Sequence, residues 1–157
     1  MVIDLIRQQN EFIAHESRIV LWPRQWENYE NRHALDWRIR RLAAEERPNI
    51  PNESGVYTLL IQPSIAAHPA CSYLMYVGKS ERLRRRFGHY LGREKRETGR
   101  PKIFRGLNLY SDYLWFCFTA AAIESLEDIE SGLLNAYIPP WNDQLPSDVR
   151  GAVGAFR

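Results

Sequence analysis

A chain of 157 residues, 45% hydrophobic and 25% charged, has material for one domain with its own apolar core and needs no structural metal to fold. The two cysteines, Cys71 and Cys117, lack CxxC spacing and nearby histidine pairs. With no secretory leader and no run near the roughly 18 apolar residues of a membrane span, this argues for reduced thiols and a cytoplasmic chain without a membrane partner. Net charge is only +2, yet the segment from Lys79 to Arg105 carries eleven Lys/Arg against three Glu, a local +8 that leaves the remainder at −6. Such concentration is the footprint of a polyanion binder, although a merely solvated basic helix and loop would look the same.

Residues 1–50 read as an N-terminal extension. The pattern predicts a helix over 2–14, a short strand in Ile19-Val20-Leu21-Trp22, and a longer helical stretch over 25–46 before Pro48 and Pro51. The extension packs over a sheet face or contacts substrate or a partner. A domain over 51–146 follows. Val56–Ile61 and Ser72–Val77 read as strands joined by a long hairpin loop, Gln62–Cys71. Ser80 reads as the N-cap of a helix ending at Leu91 before Gly92, with Leu83, Phe87, Tyr90 and Leu91 as its apolar stripe. A basic loop leads to a third strand, Leu114–Thr119, and a helix from Ala122 to Tyr137 that Pro139-Pro140 ends. Residues 147–157 read as a short tail. The fold class is α/β (α+β): a small, mainly antiparallel three-stranded sheet flanked by helices.

The last helix carries one acid where an acid does not belong. With Leu126 at 0° and about 100° per residue, Ile123, Ile129, Leu133, Leu134 and Tyr137 fall between about −60° and +80°. Glu130 falls at about +40°, inside that stripe, while Glu124, Glu127 and Asp128 fall on the far side, where surface acids belong. A carboxylate on a core-facing stripe must be paired, protonated or metal-bound, since an unpaired buried charge costs several kcal/mol. An arginine salt bridge and metal ligation both satisfy it. On the preceding helix, Arg86 and Tyr90 are i, i+4 neighbours at the border of the buried face, where a guanidinium can hold a phosphate with two hydrogen bonds.

Together these residues resemble the GIY-YIG nuclease family. Gly55-Val56-Tyr57 stands at the first motif and Tyr76-Val77-Gly78 at the second. Arg86 and Tyr90 follow at the family's spacing, Lys79 resembles the lysine of the excision-repair incision nucleases, and Glu130 with Pro139-Pro140-Trp141-Asn142 resembles the metal-binding Glu and the closing Pro-x-x-Asn. The resemblance covers roughly residues 54–142; it departs in the longer Gln62–Cys71 loop and in Tyr90, a position that is His in some members.

The resemblance implies a divalent-metal-dependent endonuclease using one Mg²⁺ or Mn²⁺ ion per site, held by Glu130. Tyr57, Tyr76, Lys79, Arg86, Tyr90 and Glu130 form the implied catalytic set, with Gly55, Gly78 and Asn142 in support. Tyr57 is expected to activate water while Tyr76 and Tyr90 position water or phosphate, provided cations lower the phenol pKa. The expected partner is nucleic acid, DNA first, contacted by Arg82, Arg85 and His89 on the helix and by Arg93, Lys95, Arg96, Arg100, Lys102 and Arg105 beyond it. Cutting both strands would need a homodimer or two encounters, and specificity could come from the Gln62–Cys71 loop, the basic loop, residues 1–50 or a protein partner. A restriction, defence or mobile-element setting suits a stand-alone catalytic module. A non-catalytic binding module of the same fold, and a nuclease for single-stranded DNA or RNA, are the alternatives.

Overall fold

The computed structural model describes residues 2–65, 68, 70–92 and 100–156. Its centre is a four-stranded, wholly antiparallel sheet in the order β1-β4-β2-β3. The strands are β1 (Arg38–Arg41), β2 (Gly55–Ile61), β3 (Tyr73–Ser80) and β4 (Leu114–Ala120). Around it lie α1 (Val2–His15), α2 (Pro23–Glu27), α3 (Leu83–Leu91), α4 (Pro101–Leu109), α5 (Leu126–Tyr137) and α6 (Ser147–Phe156). No helix among the described residues is long and apolar enough to cross a membrane.

Period-two alternation splits β2 between two cores. Tyr57 and Leu59 join Phe116, Phe118, Leu83, Phe87 and the α4 residues Ile103 and Leu107 on one face of the sheet. Val56 and Val77 join Leu126, Ile129, Leu133 and Leu134 of α5, and Val149 and Val153 of α6, on the other. A β-bulge falls between Leu59 and Leu60: Leu59 faces Tyr76, Leu60 faces Leu74, and Met75 is the extra residue. Met75 and Tyr76, though consecutive, therefore share one core.

β3 is an edge strand, and its open edge is closed by the segment after α5. Ile138 takes a left-handed conformation (φ 46°) at the helix end, a turn that costs a non-glycine residue about 1–2 kcal/mol. Burial of its side chain offsets that cost. The turned chain lays the Trp141 N–H on the Met75 carbonyl at 2.9 Å. It also sets the Asn142 amide against Val77, with Oδ1 accepting from the Val77 N–H at 2.9 Å and Nδ2 donating to the Val77 carbonyl at 2.8 Å.

The structure corrects several sequence expectations. The sheet has four strands because the 25–46 stretch is not one helix: α2 stops at Glu27, and Arg38–Arg41 pairs with Trp115–Phe118. Pairing with β4 overrode a weak helical preference, and the exposure of this arginine-rich edge removed the alternation that would have marked a strand. Ile19–Trp22 forms no strand; Val20 and Trp22 instead pack on the α5 core. Trp26 Nε1 also donates to the Ala136 carbonyl of α5 at 2.9 Å. Part of the basic loop is α4, which Pro101 starts and Ile103, Gly106 and Leu107 bury. The 147–157 tail is α6, anchored by Val149 and Val153 at i, i+4. Ser80 ends β3, and Arg82 precedes the first turn of α3. Ile123 and Tyr137, counted in the apolar stripe, are exposed, since one sits in the 3₁₀ turn before α5 and the other at its last residue.

Replacing Asn142 with Ala leaves both backbone groups of Val77 without their partner. The variant should lose about 1–3 kcal/mol, read as a lower midpoint in urea unfolding at unchanged slope.

Candidate active site

Three tyrosines from three elements converge on one face of the sheet. Tyr57 stands opposite Gly78 across the β2–β3 ladder. A Cβ on Gly78 would lie 2.6 Å from Tyr57 Oη and 2.8 Å from Tyr76 Cε1, so only glycine leaves room for both rings. A Cβ on Gly55 would run into the Thr119 carbonyl and a Leu83 methyl, where α3 crosses the strand. The Tyr57 ring stacks on Phe116 at 4.9 Å, and its hydroxyl bonds the Tyr90 hydroxyl at 2.7 Å. Tyr57 is 1% exposed and Tyr90 4%.

Lys79 lies two residues beyond Val77, on the opposite face from Tyr76, and reaches α5. Its Nζ is 2.9 Å from Glu130 Oε2 and also pairs with Glu127. The carboxylate on the wrong face is thus paired, but with the lysine of the second tyrosine motif rather than with an arginine. Its side chain remains 18% exposed. Because β3 is the sheet edge, side chains from both faces meet around it: Tyr76, Lys79, Arg100 and Glu130 line one cleft with Trp141 and Asn142. Lys79 and Glu127 also line an adjoining groove with Arg82, Arg85, Arg86 and His89. Arg86 is half-buried, and no carboxylate among the described residues lies within ion-pair distance of its guanidinium.

The basic residues separate by environment. Arg82 and Arg85 are exposed along the groove. Arg100, expected among the backbone-binding residues, donates from Nη1 to Tyr76 Oη at 2.6 Å. Lys102 is paired with Asp143 at 2.8 Å, and Arg105 donates to the Ala14 carbonyl at the end of α1. Arg93, Lys95 and Arg96 lie outside the described residues. Sequence reasoning missed Glu127, which it placed among ordinary surface acids. Its signal was the i, i+3 spacing to Glu130. It also missed the link between Arg100 and Tyr76, for which Arg100-Pro101 ahead of Ile103 and Leu107 was the available sign of a helix start.

The phenol electrostatics run opposite to the expectation for Tyr57. Burial pushes its pKa well above the usual 10.0, the neighbouring Tyr90 and Tyr76 push it further, and Arg86 only partly opposes them. Tyr90 is raised by burial, with Tyr57, Arg86 and Arg100 opposing. Tyr76 is raised by burial too, but Arg100 is the largest opposing influence, and Tyr76 is the one of the three that lines the cleft. The Tyr57 hydroxyl, expected to activate water, is buried and bonded to the Tyr90 hydroxyl, whereas Tyr76 lines the cleft.

No group of three or more His, Cys, Asp or Glu that could hold a metal occurs among the described residues. The donors that do converge, the Glu130 and Glu127 carboxylates, already face one cationic centre, the Lys79 ammonium. Such sparse, hard oxygen donors suit a divalent ion that keeps most of its waters, as Mg²⁺ does.

No protein-family model matches the chain, and no curated protein matches it by sequence. Among solved structures, it is similar to the N-terminal GIY-YIG endonuclease domain of UvrC from Thermotoga maritima. The magnesium-bound form matches at 23% identity and TM-score 0.42, covering 62% of this chain and 92% of that one. Two point-mutant forms bound to a divalent cation match at 23% identity with TM-scores of 0.43 and 0.44, covering 65% and 64% of this chain and 99% and 93% of theirs.

Raised phenol pKa values make stability pH-dependent. The unfolded chain releases these protons near pH 10.0 and the folded chain holds them longer, so their contribution is full below pH 10 and is lost as pH rises above it. Denaturant unfolding between pH 9 and pH 11 should show stability falling above about 10. Tyr57→Phe should flatten that fall; an equal slope in the variant would show that Tyr57 does not contribute to it.

Proposed function

We propose that the chain is a divalent-metal-dependent endonuclease that hydrolyses DNA phosphodiester bonds at the β3 edge. One observation carries this reading: Tyr76, Lys79 and Glu130, from both faces of the sheet, meet in a cleft that opens onto a groove lined by Arg82, Arg85 and Arg86. Acid, ammonium, phenol and guanidinium in one concave place supply what in-line displacement at a phosphate needs: a place for a cation, charge neutralisation and a group to orient water.

Each residue then has a task its surroundings permit. Glu130, with Glu127 beside it, holds the metal, which when bound acts as a Lewis acid on the scissile phosphate and steadies the leaving oxygen. Arg86, without a carboxylate partner among the described residues, grips a non-bridging phosphate oxygen pair. Lys79, paired with both carboxylates, adds a second positive charge beside Glu130. Tyr76 faces the cleft and orients the attacking water, while Tyr57, itself held by Tyr90, braces its ring from behind. Arg82, Arg85 and His89 follow the backbone along the groove, contacts that set register without reading sequence. In this reading Val20, Trp22 and Trp26 cover α5, and Arg38–Arg41 extends the sheet.

The test is cleavage of supercoiled plasmid, linear duplex, single-stranded DNA and RNA with Mg²⁺, Mn²⁺ or EDTA. Duplex DNA should be nicked only with metal, and Glu130→Ala should reduce the rate by on the order of 10²-fold or more while retaining salt-sensitive binding. Tyr76→Phe should be far more damaging than Tyr57→Phe. Metal-independent binding with every substrate left intact would favour a non-catalytic nucleic-acid-binding module.

A further inference from the structure

Arg100 stands apart from the rest of the basic segment. Among the described residues of that segment, Lys79 meets carboxylates, Lys102 meets Asp143 and Arg105 meets a backbone carbonyl, whereas Arg100 Nη1 meets a phenol oxygen at 2.6 Å. A guanidinium has donors only, so Tyr76 Oη is the acceptor and its own hydrogen is left for another partner. The arginine is well held. It is the residue directly before Pro101 at the start of α4, and α4 is fixed in the core by Ile103 and Leu107. Tyr76 is faced by Arg100 from α4, Arg86 and Tyr90 from α3, Tyr57 from β2 and Glu130 from α5. Of these, Arg100 makes the direct hydrogen bond on the side of the cleft.

We propose that Arg100 is a positioning residue for the hydrolysis: by donating to Tyr76 Oη it sets the phenol's rotor so that its O–H faces the cleft beside Glu130, and it does not hold the substrate backbone. The inference rests on the nuclease reading above. It separates two arginines by task, Arg86 acting on phosphate and Arg100 acting through Tyr76.

The experiment compares wild type, Arg100→Gln and Arg100→Lys, each carrying ¹³C at the tyrosine Cζ, with the Tyr76 resonance identified by its absence from Tyr76→Phe. Arg100→Gln should move the Tyr76 resonance upfield. It should lower kcat by on the order of tenfold or more, with KM and the salt dependence of binding unchanged. Arg100→Lys, which keeps a cationic donor of similar reach where Gln has only a shorter neutral amide, should restore much of both. An unmoved Tyr76 resonance in Arg100→Gln overturns the proposal. So does a variant that keeps kcat but raises KM and reduces the salt slope by about 1, the behaviour of a phosphate contact. A wild-type chain that cuts nothing overturns the nuclease reading and the hydrolytic role of Arg100 with it, whereas an active wild type with an unmoved resonance overturns only the role of Arg100.

Discussion

The Asn142 amide on Val77 is the contact on which the rest of the site depends. An edge strand offers a row of unpaired N–H and C=O groups, and β3 would do so at the very place where the cleft lies. One side-chain amide supplies both a donor and an acceptor to the same residue, and the Trp141 N–H satisfies Met75 alongside it. The edge is closed without adding a fifth strand. That economy leaves room around β3 for side chains from both faces: Tyr76 arrives from the α3/α4 side and Lys79 from the α5 side, and the two meet beyond the edge.

Two further constraints set the chemistry. Gly78 lacks a side chain where Tyr57 crosses it, so two tyrosines can stand within 6.1 Å of each other, centroid to centroid, on one sheet face. Burial raises the proton affinity of these phenols, and the Tyr57 and Tyr90 hydroxyls hold each other by a direct hydrogen bond. Charge is confined to the cleft side, where Lys79 stands between two carboxylates and Arg100 reaches in from α4. The arrangement is a dry wall of phenols facing a charged rim, the condition under which fixed charges act most strongly on a bound phosphate.

Much of this was legible from residue order. The apolar run Val56–Ile61 marked β2, and the stripe of Leu126, Ile129 and Leu133 marked α5 and exposed Glu130 as an anomaly. What could not be read were features that depend on distant partners. Arg38–Arg41 is a strand because β4 offers an edge to pair with, not because of its own pattern. Glu127 looks like any surface acid until Lys79 is placed opposite it. The burial of Tyr57 follows from Phe116 and Tyr90, residues far along the chain, so its proton affinity was invisible in the motif that contains it.

The extra residue at Met75 separates the hairpin into two mechanically independent lengths. Side chains alternate with a period of two, so adding or losing one residue in a regular hairpin would send every later side chain to the wrong face. Here the chain between Tyr76 and Lys79 has its register pinned from outside by Asn142, and the irregularity lies on the far side of that pin, toward the hairpin tip. The Gln62–Cys71 connection can therefore lengthen or shorten by odd or even steps without reversing the parity of the residues that face the cleft. Variation can accumulate at the tip while the placement of Tyr76 and Lys79 at the cleft stays fixed.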